Sequence, residues 1–145
     1  MSVSVPLPED SVELSVTCVL RGELAVLSVA GELDVATAPL LWQHLADQLA
    51  HGRRHLVVDL EGVPFMDSSG LNVIIRAMRE TGLADGSLAL AAPTPPVFNL
   101  FRLTGISRTQ PIHRDVESAV VSLCLNLMMS EPPRYEVASV ASAQP

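Results

Sequence analysis

Apolar positions along this chain switch between two spacings, and the switches mark its elements. From Leu14 to Leu20 they alternate as Leu14, Val16, Cys18 and Leu20, and Leu24 to Ala30 is apolar with Ser28 interposed. Both stretches predict strands. Arg21-Gly22-Glu23 between them has the length and the glycine of a hairpin turn, so this pair is expected to be antiparallel. After Gly31-Glu32-Leu33-Asp34 the spacing becomes helical. Ala38, Leu41, Trp42, Leu45 and Leu49 form one stripe, opened by Thr37 as N-cap with Pro39 in the first turn and closed by Gly52.

The stretch from Val57 to Gly82 carries a strand, a polar turn and an amphipathic helix in succession. Val57, Val58 and Leu60 suit a strand covered on both faces, which Gly62 and Pro64 then break. Leu71, Ile74, Ile75 and Met78 follow the i, i+3, i+4, i+7 pattern of a helix with one buried face, with Gly82 as its C′ residue. Between them lies Asp67-Ser68-Ser69-Gly70, where Asp or Ser can accept from the free N–H groups of the first turn. Physics alone leaves two readings of this turn. It is a cap and nothing more, or it is a pair of hydroxyls at a helix end that tolerates an added phosphate.

Ser87 to Ala91 predicts a fourth strand after the Asp85-Gly86 turn, and Thr94-Pro95-Pro96 opens a short helix with Val97, Leu100, Phe101 and Leu103 that Gly105 ends. Thr109 to His113 reads as a fifth strand, placed at an edge by Pro111. Asp115 caps a last helix whose buried side is Val116, Ala119, Val120, Leu123, Cys124 and Leu127. The expectation is an α/β fold: a mixed, mostly parallel five-stranded sheet opened by an antiparallel hairpin, with about four helices. Residues 1–11 and 131–145 read as flexible ends around a domain spanning 12–130. Functional groups in such sheets gather beyond the carboxyl ends of the strands. Both polar turns, Gly31 to Asp34 and Asp67 to Gly70, follow strand ends and are expected on that edge.

Composition narrows the function. Nine basic against 16 acidic residues give a net charge of −7, which argues against direct binding of nucleic acid. Aromatic residues make up only 3% of the chain, leaving few rings for stacking bases or sugars. Cys18 and Cys124 stand far apart and outside any C-x-x-C pattern, so they read as reduced core thiols. No apolar run approaches the roughly 20 residues of a membrane span, and the amino terminus lacks a signal-peptide pattern, so a cytoplasmic protein is expected.

Catalysis and metal binding find little support. Phe65-Met66-Asp67-Ser68-Ser69-Gly70 lacks the first glycine of a nucleophile elbow, and His44, His51, His55 and His113 have no evident tie to Ser68. His51 and His55 are four apart, but Gly52 ends their helix between them, and no cofactor is implied.

Three segments together resemble the STAS domain, and more narrowly the bacterial anti-sigma factor antagonists. They are Gly31-Glu32-Leu33-Asp34-Val35-Ala36-Thr37-Ala38, the strand Val57 to Leu60 with Phe65-Met66-Asp67-Ser68-Ser69-Gly70-Leu71, and Phe101-x-x-x-Gly105-Ile106. The resemblance spans Leu14 to Leu127. It implies that an anti-sigma factor with serine kinase activity phosphorylates Ser68, the first hydroxyl after the Asp, with Ser69 as the competing acceptor. The unphosphorylated form would bind that anti-sigma factor and free a sigma factor, and a phosphoserine phosphatase would reset the switch. Asp34, Asp67, Ser68, Ser69 and Gly70 are then the expected partner-binding residues. A second reading remains: a STAS module serving as the binding subunit of a transporter-associated or stress-sensing assembly, or holding a small anion at the helix end.

Overall fold

Leu56, Val57, Val58 and Leu60 are fully buried, and the strand they belong to is the middle of the sheet. The structure, a computed structural model, describes residues 14–128. The expected loose ends and the domain limits at 12 and 130 lie outside the described residues. Within them the strands are β1 (Ser15–Arg21), β2 (Leu24–Ala30), β3 (His55–Gly62), β4 (Ser87–Ala91) and β5 (Ile112–His113), ordered across the sheet as they are along the chain. β1 and β2 form the expected antiparallel hairpin, and every later pairing is parallel. The helices are α1 (Ala38–Ala50), α2 (Ser68–Leu83), α3 (Pro95–Thr104), α4 (Ile106–Thr109) and a last one, α5, over 116–128.

Right-handed crossovers that step in one direction across a sheet put their helices on the same face. Leu27, Leu56, Val58, Leu60 and Leu90 accordingly pack with Leu41 and Leu45 of α1, Ile74 of α2, Phe101 of α3 and Ile106 of α4. The opposite face belongs to α5. There Ala119, Val120 and Leu123 cover Leu24, Val26, Val57, Ala89 and Ala91. Asp115 caps α5 as expected, accepting from Ser118 N–H at 2.7 Å, and this bond holds its carboxyl below the usual carboxylate range. Arg21 at the end of β1 ties to Glu117 of α5 at 3.0 Å.

Several local expectations are corrected. Among the described residues there are five helices rather than four, because Gly105, in the left-handed region at φ 86°, ends α3 and the chain starts another turn at buried Ile106. That turn takes up the start of the expected fifth strand. β5 then keeps two residues, and the Gln110 side-chain amide donates to Leu88 O just ahead of it. It is an edge strand, as Pro111 requires.

α2 runs past Gly82 to Leu83, and the left-handed residue beyond it is Asp85 at φ 62°. Its buried arc contains Val73 and Ala77 instead of Ile75, because α2 lies against α1 as well as against the sheet. Cys18 and Cys124 are exposed and are not core thiols. β1 is an edge strand, and Leu20 beside Cys18 is exposed too. Cys124 lies on the solvent side of α5.

Phe101 is fully buried while its neighbour Leu103 is 70% exposed, although the expected stripe contained both. Phe101→Ala should therefore cost about 3–5 kcal/mol of stability. Leu103→Ala should stay within about 0.5 kcal/mol. Denaturant unfolding followed by circular dichroism measures both.

Candidate functional site

Asp67 has an extended backbone, which suits an N-cap, and its Oδ1 accepts from Ser69 N–H at 2.8 Å and Gly70 N–H at 3.4 Å. Of the two residue types that could cap this helix, the Asp does so. Ser68 is then the first helical residue and is exposed, while Asp67 and Ser69 are half-buried and Gly70 is buried.

Asp34 organises the turn that leads into α1. Its Oδ1 accepts from Ala36 N–H at 3.0 Å and Thr37 N–H at 3.1 Å, and its backbone carbonyl accepts from Ala38 N–H at 2.8 Å. Thr37 occupies the cap position but caps no amide of α1. Its buried hydroxyl donates to Glu32 O at 2.7 Å and accepts from Asp34 N–H at 3.0 Å, which fixes the loop internally.

The two loops are joined. Leu33 N–H donates to Phe65 O at 3.0 Å and Asp67 N–H donates to Leu33 O at 3.0 Å, so Leu33 and Met66 form a one-residue parallel bridge beyond the sheet proper. Leu33 is fully buried and Met66 nearly so. The β2–β3 register shifts between Ser28 and Ala30, where β3 carries one extra residue before Gly62, and Gly31 N–H donates to Gly62 O at 2.9 Å just before the bridge. The expected shared edge is therefore real. Asp34, Asp67, Ser68, Ser69 and Gly70 stand on two neighbouring helix ends held by one pairing.

Gly70 is required at its place by close approach. A Cβ there would lie 2.7 Å from Met66 Cγ and 2.8 Å from Leu33 Cβ.

Reading residue types missed three features of this site. Leu33 and Met66 were legible only as apolar residues in otherwise polar turns, which is the signal that could have found the bridge. Thr37 was assigned to the helix and not to the loop. The third feature is a groove of about 480 Å³ between α1 and α2, lined by Val35, Pro39, Trp42, Ser69, Val73 and Arg76 among others. The Arg76 guanidinium stacks on the Trp42 ring, 3.9 Å from its centroid.

His51 and His55 bond elsewhere than Ser68 and Ser69. His51 Nδ1 bonds Asp47 O at the far end of α1, and His55 is buried at the start of β3, where its Nδ1 bonds Ser87 Oγ at 3.0 Å. Among the described residues no group of three or more His, Cys, Asp or Glu is arranged to hold a metal ion. No helix among them is long and apolar enough to cross a membrane.

Gly70→Ala should lower stability by about 1–3 kcal/mol, because Met66 and Leu33 must move to admit the methyl group. Amide exchange at Leu33 and Asp67 should quicken with it. Ser68→Ala, at an exposed position, should leave the melting curve within about 0.5 kcal/mol of wild type.

Comparison with known proteins agrees with this geometry. The STAS domain family model matches residues 16–119. The chain is similar to the anti-sigma F factor antagonist of Paenibacillus polymyxa, at 30% identity over 71% of this chain and 88% of that protein. It is similar to the crystal structure of an anti-sigma factor antagonist from Mycobacterium paratuberculosis, at 28% identity and a TM-score of 0.71, over 77% of this chain and 94% of that one. The Bacillus cell fate determinant SpoIIAA, in its phosphorylated form, shares the fold at 23% identity and a TM-score of 0.59, covering 77% of this chain and 98% of its own. With the Gly31 to Ala38 and Asp67 to Gly70 loops paired at one edge of a five-stranded mixed sheet, the chain belongs to the STAS domain family.

Proposed function

We propose that this protein is an anti-sigma factor antagonist switched by phosphorylation of Ser68. In its unphosphorylated form it binds an anti-sigma factor that is also a serine kinase, and so releases a sigma factor. The kinase passes the γ-phosphoryl group of ATP to Ser68 Oγ, with ADP leaving, and a phosphoserine phosphatase removes it again. The protein acts by binding and not as an enzyme, in the cytoplasm. The observation that carries the reading is the exposed Ser68 hydroxyl at the capped end of α2, beside the Asp34 loop. Relatives named as anti-sigma factor antagonists support it, as does a phosphorylated structure of a protein with the same fold.

Geometry favours Ser68 over Ser69 as the acceptor. Ser69 is half-buried on the rim of the α1–α2 groove, and its amide is committed to Asp67. Ser68 is open to an approaching kinase.

Magnitudes indicate how the switch works. A phosphate adds about −1.5 to −2 charges at neutral pH. A helix end repays an exposed anion by only about 0.3–1 kcal/mol, and here Asp67 already holds two of the first-turn amides. Leaving a mispaired charge at a protein interface costs about 2–5 kcal/mol. The interface effect is the larger, so phosphorylation releases the partner and leaves the fold intact. The same capping weighs against the small-anion reading, since a bound anion would meet the Asp67 carboxylate where it sought free N–H groups.

Incubation with a serine-kinase anti-sigma factor and ATP, followed by mass mapping and a binding assay, tests this. Phosphate is expected on Ser68, with affinity for the kinase falling about 30-fold or more on modification and little change in melting temperature. Ser68→Ala should bind constitutively and Ser68→Asp poorly. Loss of binding in Ser68→Ala, or phosphate found only elsewhere, would refute the assignment.

A further inference from the structure

We infer that the groove between α1 and α2 is a second half of the partner interface, and that it receives an amphipathic helix of the partner with a fixed polarity. The inference rests on the proposed binding of an anti-sigma factor and adds where and in what orientation it docks.

Ser69, Asn72, Val73 and Arg76 are spaced as one face of α2, and they line the groove opposite Val35, Pro39 and Trp42. The groove therefore starts beside the switch serine and runs about two turns, roughly 10 Å, along α2. Its lining is mainly apolar, and Val35 at its mouth is 76% exposed. That is a large apolar side chain presented to solvent from a turn that two hydrogen bonds to Asp34 hold together.

The ends of the groove carry opposite charge. Asp34 and Asp67 stand at the switch end, with exposed Glu32 beside them. Arg76 stands at the other, held flat on Trp42, and among the described residues no carboxylate is paired with it. In a chain of net charge −7 this is a local reversal next to an apolar trough. Such a surface is complementary to a helix bearing a basic residue at one end, apolar anchors at i and i+3 or i+4, and an acidic residue about two turns on. The reverse orientation would bring like charges together at both ends.

Trp42 serves two purposes in this arrangement. Its ring forms the groove wall and orients the guanidinium, so the positive group is presented rigidly and not on a free side chain.

Arg76→Glu, Trp42→Ala and Val35→Ser in the full chain test the inference, with the serine-kinase anti-sigma factor that phosphorylates the wild-type chain as the probe. Titration calorimetry and circular dichroism are run on each. The expected result is a loss of about tenfold or more in affinity for Arg76→Glu and for Trp42→Ala, with the helical spectrum retained. Arg76→Lys, which keeps the charge without the flat stack, should fall between wild type and Arg76→Glu. If wild type binds and Ser68→Asp does not, while Arg76→Glu and Val35→Ser bind within about twofold of wild type, the groove is not part of the interface and the switch reading survives. If wild type itself neither binds nor is phosphorylated by any such kinase, the underlying functional reading fails instead. Should Trp42→Ala unfold, Arg76→Glu and Val35→Ser decide the matter alone, since both positions are exposed.

Discussion

The single residue on which the site depends is Leu33. Its side chain is fully buried, so its peptide N–H and C=O have no water to bond and must find partners within the protein. They find them on either side of Met66, from Phe65 O and to Asp67 N–H. An unsatisfied buried peptide group costs about 1–3 kcal/mol, and two would be at stake here. Two loops that would otherwise move independently are thus held as one, and with them the first turns of α1 and α2. Gly70 is part of the same constraint, because the bridge leaves no space for a side chain at that point.

The bridge also sets the electrostatics of this edge. Asp67 caps α2 through two backbone amides, Asp34 accepts two more in the turn that leads into α1, and the pairing of Leu33 with Met66 puts these two ends side by side. The positive ends of the helix dipoles are therefore largely met within the protein. Negative charge and one exposed hydroxyl are left at the surface. An anion added there gains little from the helix and is felt mainly by whatever approaches from outside.

The fold was legible because its signals are local and repeated. Arg21-Gly22-Glu23 announces a hairpin, the run from Val57 to Leu60 announces a strand buried on both faces, and β2 and β4 fall where the pattern puts them. The Asp67 to Gly70 turn was legible for the same reason, as a cap following a strand. Other features depend on what lies alongside and cannot be read from one segment. Val73 and Ile75 lie on opposite flanks of Ile74, about 100° to either side of it, and only the presence of α1 decides which flank is buried. Cys18 has the alternation of a core position, but β1 is an edge strand and the residue is exposed. Gln110 reads as a polar residue at a strand start, whereas its side chain occupies the backbone acceptor of Leu88. The α1–α2 groove is of this kind as well: Trp42 and Arg76 belong to different segments, and nothing in either predicts that they stack.

The division of the core bears on how the switch proposed for Ser68 would act. The sheet separates the α1–α4 core from the α5 core, with Leu56, Val58 and Leu60 of its middle strand buried in the first and Val57 in the second. A charge added at Ser68 touches neither cluster, since the residue is exposed and the adjoining amides are already bonded. A ligand or modification can shift a conformational equilibrium only by as much as it discriminates between two states. Here the bridge and the bonds of Asp34 and Asp67 are made without any contribution from the Ser68 side chain. On the proposed reading, the free energy of the modification would then appear where the new charge meets another molecule. For the proposed switch, loops tied by the Leu33–Met66 bridge offer a phosphate on Ser68 no internal partner, so a docked protein would have to accommodate it or leave.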